Sequence, residues 1–266
     1  MTRWRFVCIS AHVWAEINDD VLLIIEDKVE TREHSNQLER YRQIAQDEYA
    51  GHDVQIFCSY IKTGNEPNAV LSKIREKGYH TIERNDILSC IGKYWNCHPL
   101  LQDYYTHLKN LDTLTQSYQT KLMKDWDWYA WQGFYKELEK HLVGANWSYV
   151  ANPSGGFLGM WWHFEETDDA EIYLQFEQSK LCFKIAVEDV ESRTDIRWKY
   201  YKILCDNSVD CPEIKRPERF GTGTYMTIAC VNIENLWGES LINIEEIVKK
   251  LRKYEALVTK CSELAN

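Results

Sequence analysis

None of the nine cysteines in this 266-residue chain stands in a CxxC or similar metal-ligand spacing. An odd number of scattered thiols excludes a disulfide-stapled secreted scaffold and a zinc ribbon, and it predicts a reduced, cytoplasmic protein. Long apolar runs are missing too. The basic start Met1-Thr2-Arg3-Trp4-Arg5 leads into a short apolar stretch broken by Ser10 and His12, far from the roughly 20 apolar residues of a membrane span. Neither export nor a membrane is expected. Positive charge is also short, with 31 Lys and Arg against 41 Asp and Glu and a formal net charge of -10. That balance excludes a broad electrostatic grip on nucleic acid but leaves room for a local basic groove. Internal repeats and low-complexity linkers are absent.

With 44% hydrophobic residues, 11 Trp and 16 Tyr, the chain can bury a large core, and most of this aromatic load belongs there. Arg5 to Ile17 reads as one strand, and Asn18-Asp19-Asp20 as a turn. The apolar run Val21-Leu22-Leu23-Ile24-Ile25 then closes a hairpin and ends in Glu26-Asp27-Lys28. Glu33 to Tyr49 carries helical spacing, with Leu38, Tyr41, Ile44 and Ala45 on one face, and Val54 to Ile61 reads as the next strand. This order predicts an α/β (α+β) fold, with a mixed sheet packed by helices. From Asn68 to about His141 the pattern is mainly helical. After that, Trp147 to Val150, Phe157 to Phe164, Glu171 to Phe176 and Leu181 to Val187 form an antiparallel meander, Tyr225 to Val231 adds a strand, and Ile244 to Leu264 is an amphipathic helix. The expected division is a core at 1–67, a helical segment at 68–145 and an α+β lobe at 146–266.

Chemistry concentrates where the apolar strand ends. Glu26 and Lys28 are two residues apart on a strand, so both leave the same face of the sheet. A carboxylate there can hold a hard cation, and an ammonium can orient water or stabilise a phosphoryl transition state. Gln37 and Tyr41 are four apart on the helix that follows and can point back together at the strand end. An amide and a phenol in that place would complete a phosphodiester site. Taken alone, Glu26 and Lys28 would be an exposed ion pair of small energetic value.

The stretch Leu22-Leu23-Ile24-Ile25-Glu26-Asp27-Lys28 followed by His34-Ser35-Asn36-Gln37-Leu38-Glu39-Arg40-Tyr41 resembles the E-x-K and Q-x-x-x-Y motifs of the PD-(D/E)XK nuclease superfamily, in its RecB-like branch. Trp147 to Phe157 and Arg219-Phe220-Gly221-Thr222-Gly223 resemble the C-terminal lobe of a bacterial group in that superfamily. The resemblance implies a restriction-endonuclease-like mixed sheet followed by a helical segment and a second antiparallel sheet lobe. It implies DNA as partner, Mg²⁺ or Mn²⁺ as cofactor, and a place in bacterial defence or DNA repair. Glu26, Lys28, Gln37 and Tyr41 would be catalytic. Glu26, the carbonyl of Asp27 and His12 would hold the metal, while Gln37, Tyr41, Arg40 and Arg32 would contact nucleic acid.

Two departures from the pattern bear on activity. The superfamily's second metal ligand is an Asp facing the glutamate from the preceding strand. With the turn at 18 to 20, the residue opposite Glu26 is Ala11, His12 or Val13, and aligning Glu16-Ile17-Asn18 with the family pattern selects His12. The helix that usually precedes the hairpin has only about four residues available. A truncated or degenerate nuclease is therefore expected, its hydrolysis impaired, although an imidazole can ligate a cation such as Mn²⁺. The alternative is a catalytically inactive binding module for nucleic acid or for a protein partner. His12 also fits a core histidine, and Arg32, His34 and Arg40 fit a solvated helix face. Trp126, Trp128, Trp131, Phe134 and Tyr135 fit a helix packing on the second sheet better than a stacking platform. No Lys/Arg stripe in the C-terminal part is long enough to track a phosphate backbone.

Overall fold

The computed structural model describes residues 4–9, 12–31, 33, 36–152, 155–237 and 240–266, with 4–9, 12 and 235 described by backbone alone. The chain divides into two compact units, Met1–Leu114 and Thr115–Asn266. The first unit is a mixed sheet of β1 (Trp4–Ile9), β2 (His12–Ile17), β3 (Val21–Lys28), β4 (Gln55–Lys62) and β5 (His80–Glu83), in that spatial order. β1, β2 and β3 are antiparallel, whereas β3, β4 and β5 run parallel. The parallel strands are joined through α1 (Gln37–Glu48) and α2 (Asn68–Glu76), and α3 (Arg84–Ile91) and α4 (Pro99–Gln116) follow. The fold is thus mixed α/β, as the strand and helix pattern predicted.

Local chemistry explains these joints. Asn18 and Asp19 both take positive φ, 55° and 64°, and Asp20 N–H donates to the Ile17 carbonyl at 3.3 Å. This is the primed turn that suits a twisted hairpin, and Asn and Asp tolerate it best among non-glycine residues. The turn sets Ile17 opposite Val21 and, five pairs on, His12 opposite Glu26. The single strand expected from 5 to 17 is in fact two strands paired with each other. Their junction, Ser10 and Ala11, lies outside the described residues. Ser10 and His12 interrupt the apolar run there, but without a Gly, Pro, Asn or Asp to mark a turn. α1 begins at Gln37 rather than Glu33 because Asn36 takes a left-handed conformation, φ 49°, ahead of the first helical turn. Leu38 and Ala45 form its buried row, Tyr41 is half-buried at the flank, and Ile44, expected on the same face, is 45% exposed. β5 was not anticipated; four residues are too few for alternation to be legible. The core of this unit gathers Trp14, Leu22, Ile24, Leu38, Tyr60 and Leu71.

The second unit is an antiparallel meander of β6 (Asn146–Val150), β7 (Phe157–Glu166), β8 (Glu171–Glu177), β9 (Lys180–Ala186) and β10 (Tyr225–Asn232). Its helices are α5 (Trp128–Leu138), α6 (Arg193–Asn207), α7 (Ile233–Trp237) and α8 (Ile244–Ala265). The helical stretch 68–145 is therefore shared between the units, with α2 and α3 in the first and α5 in the second. α5 buries Trp131, Phe134, Tyr135 and Leu138, the core role expected of that aromatic cluster, while Trp128 stays 38% exposed. Trp162 is fully buried and the adjacent Trp161 is not, as strand alternation requires. Among the described residues no helix is long and apolar enough to cross a membrane.

Phe134 lies at the centre of the aromatic core, with ring centroids 5.0 Å from Trp126, 6.2 Å from Trp237 and 6.3 Å from Phe176. Phe134→Ala is expected to destabilise the second unit by about 3–5 kcal/mol, read as a lower urea midpoint for its unfolding transition. An unchanged midpoint would show that this ring is not central to the core.

Candidate functional site

Both parallel strands β3 and β4 end in charge. In β3 the inward row is Leu22, Ile24 and Glu26, and in β4 it is Cys58, Tyr60 and Lys62. Register places Glu26 beside Tyr60 and Lys28 beside Lys62, so the four side chains share a face. Glu26 is only 1% exposed, and burying a carboxylate is costly unless it is paired. Lys28 supplies one, with Nζ 2.7 Å from Glu26 Oε1.

The helix then extends this pair. Lys28 Nζ donates to Gln37 Oε1 at 3.5 Å, and Gln37 Nε2 donates to the Tyr41 hydroxyl at 3.0 Å. One row of contacts thus links carboxylate, ammonium, amide and phenol. It exists because β3 ends at Lys28 and α1 opens on Gln37, which places residues 37 and 41 on the turn facing the strand end. Arg40 joins from outside, with its guanidinium 3.5 Å from the Tyr41 hydroxyl and 5.3 Å from the ring centroid. Arg32 and the side chain of His12 lie outside the described residues. The backbone of His12 is paired with Glu26, so that position carries an imidazole rather than a carboxylate.

Asp27 belongs to the other face. Alternation turns it away from Glu26, toward the side where Tyr104 of α4 lies within electrostatic reach. Partial burial holds its carboxyl above the usual carboxylate range; Glu26 adds to that rise, and Lys28 and Lys62 oppose it.

Three residues at this site were not anticipated. Lys62, 2% exposed, pairs with Glu66, 1% exposed, at 3.1 Å and also donates to the Thr31 carbonyl at 2.7 Å. Arg84 donates to the Thr63 carbonyl at 2.8 Å and to Asn65 Oδ1 at 3.1 Å. Burial pulls its guanidinium below the ordinary range, against the support of Asp112 and Glu83. Together they fasten the segment after β4 to the segment after β3. Gly64 sits where an added Cβ would come within 2.2 Å of the Val29 carbonyl, and Thr63 N–H donates to the Lys28 carbonyl. The available signal was Lys62 closing an apolar strand as Lys28 does, with Glu66 four residues on.

The divalent cation implied by the motif finds an incomplete donor set. Mg²⁺ is held through one or two carboxylates plus water and substrate oxygens. Here the described side chains of β3 and β4 bring one carboxylate, Glu26, to that face, already paired with Lys28, and the nearby Glu66 is taken up by Lys62. Among the described residues no group of three or more His, Cys, Asp and Glu could hold a metal ion. These residues do not by themselves form a cation site.

Comparison with protein families gives a match over residues 12–118 to the model of the PD-(D/E)XK nuclease superfamily. The matched span contains β2, β3, α1 and β4 with all four clustered side chains, and it stops before 147–157 and 219–223. No curated protein and no solved structure matches the chain.

Removing one partner of a buried ion pair leaves an uncompensated charge, a loss of about 3–5 kcal/mol. Lys62→Met is expected to destabilise the first unit by that amount, and combining it with Glu66→Leu to recover a part, both read from denaturant midpoints. A single variant as stable as the parent would show that the pair does not secure the site.

Proposed function

We propose, from the match of residues 12–118 to the model of the PD-(D/E)XK nuclease superfamily, that the first unit engages a DNA phosphodiester at the carboxyl ends of β3 and β4, with hydrolysis impaired at position 12. The observation that carries this reading is the unbroken row Glu26, Lys28, Gln37, Tyr41. Ligands of parallel α/β sheets bind outside the carboxyl ends of the strands, which is where this row stands.

Each group has a task that follows from its chemistry. The Lys28 ammonium meets the phosphate charge and the charge that develops on it in the transition state. Glu26 offsets that ammonium when no substrate is bound and keeps its position fixed. Gln37 and Tyr41 hold hydrogen-bonding groups in a set arrangement beside it, so the phosphate is received by an ordered surface. Arg40, exposed on α1, adds a cation toward solvent. Free thiols at every cysteine whose side chain is described support a cytoplasmic setting, and bacterial defence or repair is the setting to which the resemblance points.

A second reading, binding without cleavage, is favoured by one observation: the strand position opposite Glu26 is His12, an imidazole in place of a carboxylate.

Restoring the acid separates the two. His12→Asp is expected to raise DNA cleavage in Mg²⁺ or Mn²⁺ at least tenfold and to create Mn²⁺ binding measurable by calorimetry, both lost when Glu26→Gln is added. If His12→Asp gains neither, and the parent has no cleavage that depends on Glu26 and Lys28, the nuclease reading is wrong.

A further inference from the structure

The second unit has a cationic aromatic surface that sequence order conceals. The guanidinium carbons of Arg197 in α6 and Arg216 in the 208–224 connection each lie 4.6 Å from the centroid of the Phe220 ring. Arg216 also lies 5.2 Å from the Trp198 ring, whose centroid is 5.0 Å from that of Phe220. Two like charges thus share one ring, and among the described residues neither has a carboxylate within ion-pairing distance.

Arg197 makes the arrangement costlier. It is 5% exposed, among the described residues its one hydrogen bond goes to the Gly221 carbonyl, and its Nε–H is buried without an acceptor. A buried guanidinium without an anion is unfavourable, and cation–π contacts return only part of the difference. A negatively charged ligand would complete it.

The surroundings indicate which ligand. Trp198 is 41% exposed. Beside it a groove of about 490 Å³ is lined by Lys180, Lys215, Arg216 and Arg219, together with Glu177 and Glu218. Glu177 is already matched by Lys184 at 3.2 Å. A flat exposed indole next to a groove with four cations matches the pairing of stacking platform and backbone track used for single strands. An acidic peptide would use the cations but not the indole.

We infer that this face of the second unit binds single-stranded nucleic acid, with a base stacked at Trp198 and phosphates held by Arg216, Arg219 and the adjoining lysines. The inference does not depend on cleavage by the first unit and shares with it only the class of ligand.

The test uses the full chain, a fluorescent oligothymidylate and EDTA to suppress hydrolysis, with affinity followed by anisotropy over a range of salt. Trp198→Ala, an exposed change, is expected to weaken binding about tenfold with the salt slope unchanged, since stacking carries no counterion. Arg216→Gln is expected to weaken binding and to lower the slope by about 0.7, the value for one phosphate contact on a single strand. Both substitutions lie in the second unit, so their effect on affinity in EDTA is read apart from the metal-dependent test at position 12, which separates failure here from failure of the first-unit site. The inference is overturned if the parent shows no salt-dependent binding, if both variants bind as the parent does, or if a duplex or a poly-glutamate peptide binds as tightly as the oligothymidylate.

Discussion

The ion pair between Lys28 and Glu26 is the constraint on which the first unit turns. Five apolar residues drive β3 into the core, and the next inward position is a glutamate only 1% exposed, whose burial is costly without a partner. The lysine two residues on meets that carboxylate at 2.7 Å within a nearly closed environment. Gln37 and Tyr41 then meet a fixed ammonium rather than a mobile one. A pair of this kind at the surface would contribute little. Here its value is positional, because it decides what the opening turn of α1 faces.

The neighbouring strand repeats the device. β4 ends in Lys62, buried against Glu66 and tied to the backbone after β3. Two parallel strands thus each carry an internally neutralised cation at their carboxyl ends, and Arg84 fixes the connecting segment from below. Net charge conceals this order. A chain at -10 holds an ordered ion-paired centre in one unit and a cationic aromatic face in the other.

Much of this was legible in advance. Glu26 and Lys28 stood out because opposite charges two apart at the end of an apolar strand are hard to explain by packing, and Gln37 and Tyr41 because helical spacing repeats at four. The turn at Asn18 and Asp19 made the partner of Glu26 calculable to within three residues, and the observed register gives His12. The division of 5–17 into two strands was not legible, since no Gly, Pro, Asn or Asp marks a turn between Ile9 and His12. α6 escaped for a different reason. Its buried row is Arg197, Tyr200 and Leu204, while Trp198 on the same helix is exposed, so no apolar stripe marks it. The Arg197 and Arg216 cluster shares that cause: its members lie nineteen positions apart and meet only through α6 and the 208–224 connection.

The most direct examination of the account is a crystal structure of the full chain with a short DNA bound. A phosphate within hydrogen-bonding distance of Lys28 Nζ, about 2.7–3.2 Å, with Gln37 and Tyr41 on the same side, is the predicted result. DNA seated elsewhere on the first unit, or Lys28 and Gln37 parted with Glu26 turned away from them, would contradict it.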